Sequence, residues 1–449
     1  MSLIYQLAEI IDDCRREYEN ILQEMKEKSS FERFKTVEIY GSVESAENNI
    51  LARGDNLQFM NYLASQEQFR GKIKLIYADP PFFSKADYAM QIKINTECMK
   101  GTTKLKQTVY TDLWKEGMES YLRMIGIRLF MMRDLLTENG CIWMHLDWHV
   151  VHYVKVLMDE IFGMDNFVNE IIWNYKSGGT SSRRFARKHD TLLFYGKGDN
   201  YYFTPQKEKS YNRGFKPYRF KGVEEFQDEV GWYTLVNMKD VWQLDMVGRT
   251  SSERTGYATQ KPELLLERIL KSCTQEGDLC ADFFGGSGTL AAVAHKMERR
   301  WITCDVGKIA IAGIKKRALQ RGAKFMVLKE NTEEKETGSL QADIETQEDS
   351  LCVRLHSYRL SEEYIKNMGQ KEQETVSTIV RKDSLSLIDY WSVDFNYNGK
   401  IHMPEKILQR DKTILERSIA GMSHTGLINV SCVDVFGNVI QKTLKLTVQ

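Results

Sequence analysis

Ile-Lys-Leu-Ile-Tyr-Ala-Asp-Pro-Pro-Phe, residues 73–82, is the stretch of sequence that decides the fold. The mostly apolar run 73–78 predicts a buried strand of about six residues. Two consecutive prolines cannot continue a central strand, so the chain must leave the sheet directly after this run. Asp79 and Phe82 are therefore expected at the carboxyl end of a strand, where open α/β sheets bind ligands. Taken alone, the same residues also fit a plain strand that ends in a Pro-Pro turn.

Short apolar runs that carry an aspartate at or near their end recur before and after this stretch. Residues 50–56 read Ile-Leu-Ala-Arg-Gly-Asp-Asn, and the runs 141–147, 279–284 and 301–305 each contain an aspartate. Helical apolar periodicity lies between these runs, as in residues 117–138. This alternation predicts an α/β domain with a mostly parallel sheet covered by helices.

A glycine-rich turn joins one of these strands to a helix. Residues 282–289 read Asp-Phe-Phe-Gly-Gly-Ser-Gly-Thr and precede a helical pattern over 290–296. Such a turn lets a ligand approach the backbone closely and places a helix N-terminus beside it. It matches neither the P-loop nor the dinucleotide fingerprint. Asp305 ends the next strand about 20 residues beyond the glycines, a spacing that suits an acceptor for ribose hydroxyls.

The segment 176–221 is strongly basic. It contains twelve Lys or Arg against three Asp or Glu, and aromatic residues are interleaved with them. A charge run is often only a solvated face, but cations mixed with rings favour a surface that contacts phosphates and stacks on bases. Five residues of this segment are expected to contact nucleic acid: Lys176, Arg183, Arg184, Arg187 and Lys188.

Composition limits the remaining classes of function. The formal net charge of the 449 residues is zero, so a polyanion must be held by a local patch. The eight cysteines form no Cys-x-x-Cys pair, which predicts a reducing, cytoplasmic location and no zinc site or disulfide framework. The histidines at 145, 149 and 152 fit a helix start and its solvated face better than a metal site. No apolar run approaches the roughly 20 residues of a membrane-spanning helix.

The rest of the chain predicts smaller units around the α/β domain. The amphipathic pattern over 3–28 predicts a helix that packs on its own domain or contacts a partner. Segment 83–112 shows no apolar periodicity and is expected to be a functional lid or disordered. Short strand-like runs after residue 350, with a Gly437-Asn438 hairpin turn, predict a small, mostly-β domain. The predicted units are an N-terminal helix in 1–36, the α/β domain in 37–328, an acidic linker in 329–350 and the C-terminal domain in 351–449.

The order of the motifs resembles one family. The chain carries in sequence Gly54-Asp55-Asn56, Asp79-Pro80-Pro81-Phe82, Thr259-Gln260-Lys261-Pro262, the glycine turn with its Asp282 and Phe284, and Asp305. This order resembles that of DNA amino-methyltransferases in the β arrangement, in which the catalytic motif precedes the cofactor-binding motif. The resemblance covers about residues 37–325, and residues 143–162 and 169–195 also look like modification subunits of type III restriction systems. It implies a Rossmann-like sheet that binds S-adenosylmethionine.

The resemblance also implies a role for each motif. Asp79 and the Pro80 carbonyl would accept the N–H groups of an exocyclic amine in double-stranded DNA, with Pro81 completing the catalytic turn. Phe82, where the family commonly has Tyr, would stack on the flipped-out base. The implied cofactor ligands are Asp282 for the ammonium, Asp305 for the ribose, Asp55 for the adenine amine, Thr259 and Lys261 beside the methionine end, and Phe284 with the Gly285, Gly286 and Gly288 backbone as lining.

The target base and the presence of catalysis stay open at this point. An Asp at the head of the catalytic motif resembles adenine-N6 enzymes, whereas Ser is more usual in cytosine-N4 enzymes, so adenine is the expected base and cytosine the alternative. A non-catalytic nucleic-acid-binding or scaffold subunit is the rival from another class, although the intact motifs speak against it.

The place of sequence recognition is the other open point. Only about 60 residues separate Tyr195 from Thr259, whereas type III modification subunits carry a large target-recognition region there. Recognition would then depend on the basic insert, about residues 176–256, on the C-terminal domain, or on another subunit. The expected partner is double-stranded DNA, with a second copy of the chain or a specificity or restriction subunit as further candidates.

Overall fold

The structure is a computed structural model of the chain. It describes residues 3–27, 33–46, 49–95, 102–114, 116–176, 180–347, 350–410 and 415–446. The helices are α1 (Leu3–Glu27), α2 (Val43–Ala46), α3 (Asn56–Ala64), α4 (Met118–Leu135), α5 (Val151–Phe162), α6 (Glu263–Cys273), α7 (Thr289–Lys296), α8 (Lys308–Gln320), α9 (Glu362–Lys366) and α10 (Gln370–Asp383). Short 3-10 turns cover Met164–Asn166, Arg213–Phe215 and Ser384–Leu387.

The strands of the first two thirds of the chain are β1 (Phe34–Tyr40), β2 (Ile50–Arg53), β3 (Ile73–Ala78), β4 (Asp87–Asn95), β5 (Thr102–Thr111), β6 (Leu136–Leu146), β7 (Phe167–Asn174), β8 (His189–Gly196), β9 (Lys207–Tyr211), β10 (Glu225–Gln227), β11 (Trp232–Asn237), β12 (Val241–Gln243), β13 (Leu279–Asp282) and β14 (Arg300–Asp305). Those that follow are β15 (Phe325–Glu330), β16 (Gly338–Gln347), β17 (Ser350–Leu360), β18 (Ile388–Asp394), β19 (Lys406–Gln409), β20 (Ser418–Gly421), β21 (Leu427–Asp434) and β22 (Val439–Lys445).

One large mixed sheet organises the molecule. Among the described residues its strand order is β1-β15-β2-β14-β13-β3-β6-β8-β7-β12. The strands from β15 to β6 are parallel, whereas β1 pairs antiparallel with β15 and β8 pairs antiparallel with both β6 and β7. The predicted α/β class and the mostly parallel sheet are confirmed.

Strand β3 lies in the interior of this sheet, between β13 and β6, and every residue of it is buried. Because successive side chains point to opposite faces, Ile76 and Ala78 enter one core while Leu75 and Tyr77 enter the other. The first core also contains side chains of α1, α3, α4 and α5, and the second contains side chains of α6, α7 and α8. Helices therefore cover both faces, as the sequence predicts.

The N-terminal helix α1 packs on its own domain. Ile10, Cys14 and Tyr18 are buried in the first core, and α1 lies against α4. The Tyr18 hydroxyl donates to Asp134 at 2.5 Å. Of the two predicted roles for this helix, the intramolecular one is thus observed. No helix in the described ranges is both long and apolar enough to cross a membrane.

The prediction that segment 83–112 is a lid or disordered is wrong for most of its length. Strands β4 and β5 form an antiparallel hairpin, and residues 96–101 between them lie outside the described residues. Ile92, Ile94 and Leu105 are buried in a third core that they share with the C-terminal domain. The alternation of these residues with exposed lysines is a strand pattern, and the high lysine content conceals it.

The acidic linker prediction for residues 329–350 is also wrong in part. Strand β16 lies inside this segment and pairs antiparallel with β17. Leu340 and Ala342 face the third core, whereas Asp343 and Glu345 are exposed on the other face of the strand. The acids that suggested a linker are therefore the solvent side of an ordinary two-faced strand. Residues 348 and 349 lie outside the described part.

The C-terminal domain is built from two small antiparallel sheets, in the orders β16-β17-β20 and β19-β18-β21-β22. Strands β21 and β22 form the predicted hairpin, with Gly437 at a φ of +80° in the turn. The helices α9 and α10, which the sequence analysis did not predict, pack with these sheets. The predicted mostly-β character is confirmed for the described residues, with a helical addition.

A buried ion pair lies where this domain meets the large sheet. Lys315 Nζ is 2.7 Å from Glu38 Oε2, and the two side chains are only 2% and 3% exposed. The Tyr40 hydroxyl donates to the same carboxylate at 2.8 Å, and the Lys315 ammonium lies over the ring of Tyr390 from the C-terminal domain. Burial alone would raise the pKa of Glu38, but the Lys315 charge holds it below the usual value.

Lys315→Met is expected to lower the free energy of unfolding by about 3–5 kcal/mol, because the Glu38 carboxylate would stay buried without its counter-charge. Urea denaturation followed by circular dichroism measures this. Lys316→Met is the matched control, since Lys316 pairs with Asp389 where both side chains are about a quarter exposed, and a loss below about 1 kcal/mol is expected. Equal losses in the two variants would contradict the prediction.

Candidate active site

Four aspartates meet at one edge of the large sheet. Asp55, Asp79, Asp282 and Asp305 lie at or just after the carboxyl ends of β2, β3, β13 and β14, which run parallel. A cavity of about 500 Å³ opens at this edge, a size typical of small-molecule sites. The predicted catalytic and cofactor residues that line it are Asp79, Pro80, Pro81, Phe82, Asp55, Thr259, Lys261, Asp282, Phe284, Gly285, Gly286 and Asp305.

The glycine turn forms the wall of this cavity beside β14. A Cβ on Gly285 would come within 2.6 Å of Thr303 Oγ1, so only glycine lets the turn lie this close to the strand. Gly288, which lies behind the lining, precedes α7 with a φ of +70° that favours glycine. The Gly286 N–H donates to Asp305 Oδ2 at 2.8 Å and thereby ties the turn to the end of β14.

Asp282 is the most deeply buried of the four aspartates. Its Oδ1 accepts the Phe284 N–H at 2.9 Å, and the residue is 4% exposed. Burial, together with the negative charges of Asp79 and Asp305, raises the pKa of Asp282 to about 8, against the opposing effects of the Phe284 N–H and the Lys261 charge. Burial likewise raises the pKa of Asp305. This end of the cavity therefore favours a cationic ligand group.

One carboxylate oxygen of Asp79 has a hydrogen-bond partner, and the other, among the described residues, has none. Lys261 Nζ donates to Asp79 Oδ2 at 2.5 Å. Asp79 Oδ1 is buried and, among the described residues, accepts no hydrogen bond. A buried acceptor without a donor is unfavourable unless a ligand supplies one. Asp79 lines the cavity, so a ligand bound there is a candidate source of the missing donor.

Phe82 lies beside this carboxylate. The Lys261 ammonium is 5.1 Å from the centre of the Phe82 ring, and the His145 ring stacks on it at 5.9 Å. His145 is fully buried in β6 and hydrogen-bonds Tyr77 and Asp190, at 2.7 and 3.2 Å. The expectation of a solvated His145 is therefore wrong, because β6 is an inner strand and His145 lies against Phe82 of the Asp-Pro-Pro-Phe turn.

Two predicted cofactor ligands have further partners in the structure. Asp55 caps α3 by accepting the Gln58 N–H at 3.1 Å, and its second oxygen is 3.1 Å from the Arg128 guanidinium. Thr259 has a φ of +62° and donates to the Ala258 carbonyl at 2.6 Å. Both line the cavity, and their roles towards the cofactor remain predictions. The same holds for Lys261, whose pairing with Asp79 the sequence did not reveal.

Several residues of the cavity were missed by the sequence analysis. Tyr110 at the end of β5, Arg128 on α4 and Tyr257 before the Thr-Gln-Lys-Pro segment all line it. Tyr257 also lies against the glycine turn, 3.3 Å from the position of a Cβ on Gly286. Tyr257 stands only two residues before Thr259, which was a usable signal, whereas the other two are brought in by tertiary packing.

The predicted DNA-contacting residues lie on the loop between β7 and β8, outside the cavity. Strand β7 runs antiparallel to β8, which runs antiparallel to β6, so this loop begins at the same edge of the sheet as Asp79. Lys176, Arg183, Arg184 and Arg187 are exposed and Lys188 is half-buried, while residues 177–179 lie outside the described residues. The Arg187 guanidinium stacks 3.3 Å from the centre of the Trp148 ring.

The remainder of the basic insert folds as its own small sheet, β10-β11-β9. Exposed rings accompany it, with Phe215, Tyr218 and Phe220 between β9 and β10. Within the part of the chain that the structure describes, no group of three or more His, Cys, Asp or Glu side chains could hold a metal ion.

Comparison with known proteins identifies a family that this chain matches. The family model described as DNA methylase, of N6 and N4 type, matches residues 73–316. Type II methyltransferase M.HpaI of Haemophilus parainfluenzae is 27% identical over 247 residues, covering 55% of this chain and 68% of that protein. The "Probable type III restriction-modification enzyme HindVI Mod subunit" of Haemophilus influenzae is 24% identical over 399 residues, covering 60% and 50%. The M1.HpyAVI–SAM complex aligns with 18% identity and a TM-score of 0.38, covering 60% of this chain and 98% of that one.

The matched segment begins with the first residue of β3 and contains the Asp-Pro-Pro-Phe turn, Lys261, the glycine turn and Asp305. It thus includes most of the residues that meet around the cavity, and it spans more than half of the chain. The chain belongs to the DNA methylase family.

Proposed function

We propose that this chain methylates the N6 amine of an adenine that is flipped out of double-stranded DNA. The observation that carries the proposal is the buried Asp79 Oδ1, which among the described residues has no donor. An exocyclic amine is a poor nucleophile because its lone pair is delocalised into the base. A fixed carboxylate oxygen that accepts one N–H turns the amine towards a tetrahedral geometry and frees the lone pair.

S-adenosylmethionine is the methyl donor in this family, and the cavity fits it. The donor carries an ammonium and a sulfonium, and the cavity presents the carboxylates of Asp79, Asp282 and Asp305 against the ammonium of Lys261 and the guanidinium of Arg128. The glycine turn leaves its backbone accessible, as a ligand lying against it requires. When bound, the cofactor supplies an electrophilic methyl group; Asp282 would hold its ammonium and Asp305 its ribose hydroxyls.

The chain's own residues then orient the base. Lys261 binds Asp79 Oδ2, and we assign the remaining oxygen, Oδ1, to the incoming amine. The Pro80 carbonyl accepts the second N–H, and the Phe82 ring stacks on the base. After transfer the methylated amine must lose one proton, and we assign Asp79 Oδ1, which accepts its N–H, as the group that takes this proton. A scaffold subunit would need neither a buried unpartnered carboxylate nor a cation-favouring end of the cavity.

The described residues of the β7–β8 loop, 175–176 and 180–188, and the insert beyond them are the proposed DNA surface. Four exposed cations lie at the same sheet edge as the catalytic turn, which suits contacts to phosphates near a flipped base. The small sheet β10-β11-β9, with its exposed rings, is the part of this surface that we assign to sequence recognition. We further propose that the enzyme works in the cytoplasm, since its substrate is cellular DNA. A second copy of the chain or a restriction subunit stays a candidate partner.

Arg187→Ala is expected to weaken binding of duplex DNA about three- to tenfold and to reduce the salt slope of log K by about one. The loss should be the same for all DNA sequences, because a phosphate contact carries no sequence information. Fluorescence anisotropy at several salt concentrations measures both quantities. Arg15→Ala, which changes an exposed arginine of α1, is the control and should leave the slope unchanged. A sequence-dependent loss for Arg187→Ala would instead indicate a base contact.

The test of the whole proposal is methyl transfer from labelled S-adenosylmethionine to mixed genomic DNA, followed by nucleoside analysis. Labelled N6-methyladenine supports the proposal, and mapping the modified sites gives the recognition sequence. Labelled N4-methylcytosine would keep the chemistry and overturn the base. Cofactor binding without any label on DNA would contradict a self-sufficient enzyme and point to a missing specificity partner. Absence of cofactor binding would overturn the enzymatic assignment.

A further inference from the structure

We propose that Asp112 is a positioning residue that holds the catalytic turn in its working shape. The inference rests on the proposed function for its effect on catalysis, but the contacts themselves are independent of it. Asp112 follows strand β5 and is fully buried. It does not line the cavity, so it acts through the backbone of the turn and not on the substrate.

The Asp112 carboxylate binds the chain directly after Phe82. Its Oδ1 accepts the Phe83 N–H at 3.1 Å and the Trp114 indole N–H at 2.9 Å. Its Oδ2 accepts the Ser84 N–H at 2.6 Å and the Ser84 hydroxyl at 2.7 Å. Backbone donors that no helix or strand satisfies are thereby paired in the interior, where leaving them unpaired is costly. One side chain thus fixes the exit of the Asp-Pro-Pro-Phe turn.

The backbone at this exit needs such a constraint. Phe83 and Lys85 both have a φ of +59°, which side-chain-bearing residues rarely adopt. A strained conformation persists only where its surroundings determine it. The hydrogen bonds to Asp112 come from Phe83 and from Ser84, and Ser84 lies between the two strained residues. Without them the segment would relax towards ordinary dihedral angles and carry the adjacent Phe82 with it.

The β4–β5 hairpin holds the backbone of Asp112 in place. Its N–H donates to the Ala86 carbonyl at 3.0 Å, which continues the pairing of β4 with β5. The other end of this hairpin buries Ile92, Ile94 and Leu105 in the core of the C-terminal domain. The C-terminal domain therefore contributes to the active site indirectly, by anchoring the hairpin that carries Asp112.

Asp112→Asn is the test, because it keeps the size of the side chain but turns an amide donor towards N–H and O–H donors. It is expected to lower kcat about 100-fold, as for a small misplacement of reacting groups, with the KM for S-adenosylmethionine changed less than about threefold. Ser84→Ala removes one hydroxyl donor and leaves both backbone donors, so it is the matched control and should lower kcat no more than about threefold.

Hydrogen exchange reports the positioning even if the enzyme methylates nothing. In Asp112→Asn, a peptide covering residues 79–88 is expected to exchange at least about tenfold faster, while peptides from β13 and α7 keep their rates. Adding Lys85→Gly should recover about fivefold in kcat, because glycine adopts a positive φ without strain. Equal acceleration of exchange throughout the sheet, or an unchanged rate at 79–88, would overturn the proposal. A wild-type chain without methyl transfer but with the expected local exchange would overturn only the proposed function.

Discussion

Asp79→Ala is expected to reduce methyl transfer about 1,000-fold while S-adenosylmethionine still binds. The variant removes the buried carboxylate oxygen Asp79 Oδ1, which has no donor among the described residues, and with it the acceptor proposed to orient the amine. Loss of a single electrostatic contact made in the transition state costs about 100- to 1,000-fold in kcat. Single-turnover transfer to duplex DNA, with cofactor binding measured separately by calorimetry, checks both parts of the prediction.

The control for this variant must account for Lys261, whose side chain is 8% exposed and whose ammonium would lose its partner. Asp79→Asn keeps an oxygen for Lys261, but its amide nitrogen then takes the place of Oδ1 and opposes the amine, so a similar loss of transfer is expected in a more stable protein. Asp87→Ala changes an exposed aspartate in β4 and should retain full activity. Wild-type rates in Asp79→Asn would contradict the assigned role of Oδ1.

The sequence predicted the parts of the site that depend on local pattern. A buried run that ends in two prolines fixes where β3 stops, and the glycine turn fixes where β13 gives way to α7. Because parallel strands end at one edge of a sheet, the aspartates that follow them had to converge. Those signals are contained in stretches of about ten residues, which is why Asp79, Asp282 and Asp305 could be placed before the fold was known.

Contacts between distant segments could not be predicted in this way. Lys261 meets Asp79 across 182 positions of the chain, and Asp112 meets Phe83 across 29. Strands β4 and β16 were missed for another reason, since half of their residues face solvent and make the segment look polar. Their apolar residues can be recognised as a buried face only once the third core is known, and the C-terminal domain supplies most of that core.

Binding of S-adenosylmethionine is expected to weaken about tenfold for each pH unit below 7. In the cofactor-free protein, burial raises the pKa of Asp282 to about 8, so the carboxyl is mostly protonated at pH 7 and below. The ligand ammonium requires the ionised carboxylate. Below pH 7 each tenfold rise in proton concentration lowers the ionised fraction of Asp282 about tenfold. Above pH 8 the α-amino group of the ligand, with a pKa of about 7.7–8.0, loses its own charge, so the affinity should be greatest near pH 8.

Calorimetry in buffers of different ionisation enthalpy tests this directly, because binding at pH 7 should release about one proton. Asp282→Asn is the matched variant: it keeps the shape of the side chain and cannot ionise, so its weaker binding should lose the tenfold dependence below pH 7. The direction of this pH dependence follows from the raised pKa of Asp282. An acid whose pKa is raised by folding holds its proton up to about pH 8, and a cationic ligand must displace that proton to bind. If the wild-type chain binds equally well at pH 7 and pH 6, Asp282 does not hold the ammonium, and the cation-favouring end of the cavity needs another occupant.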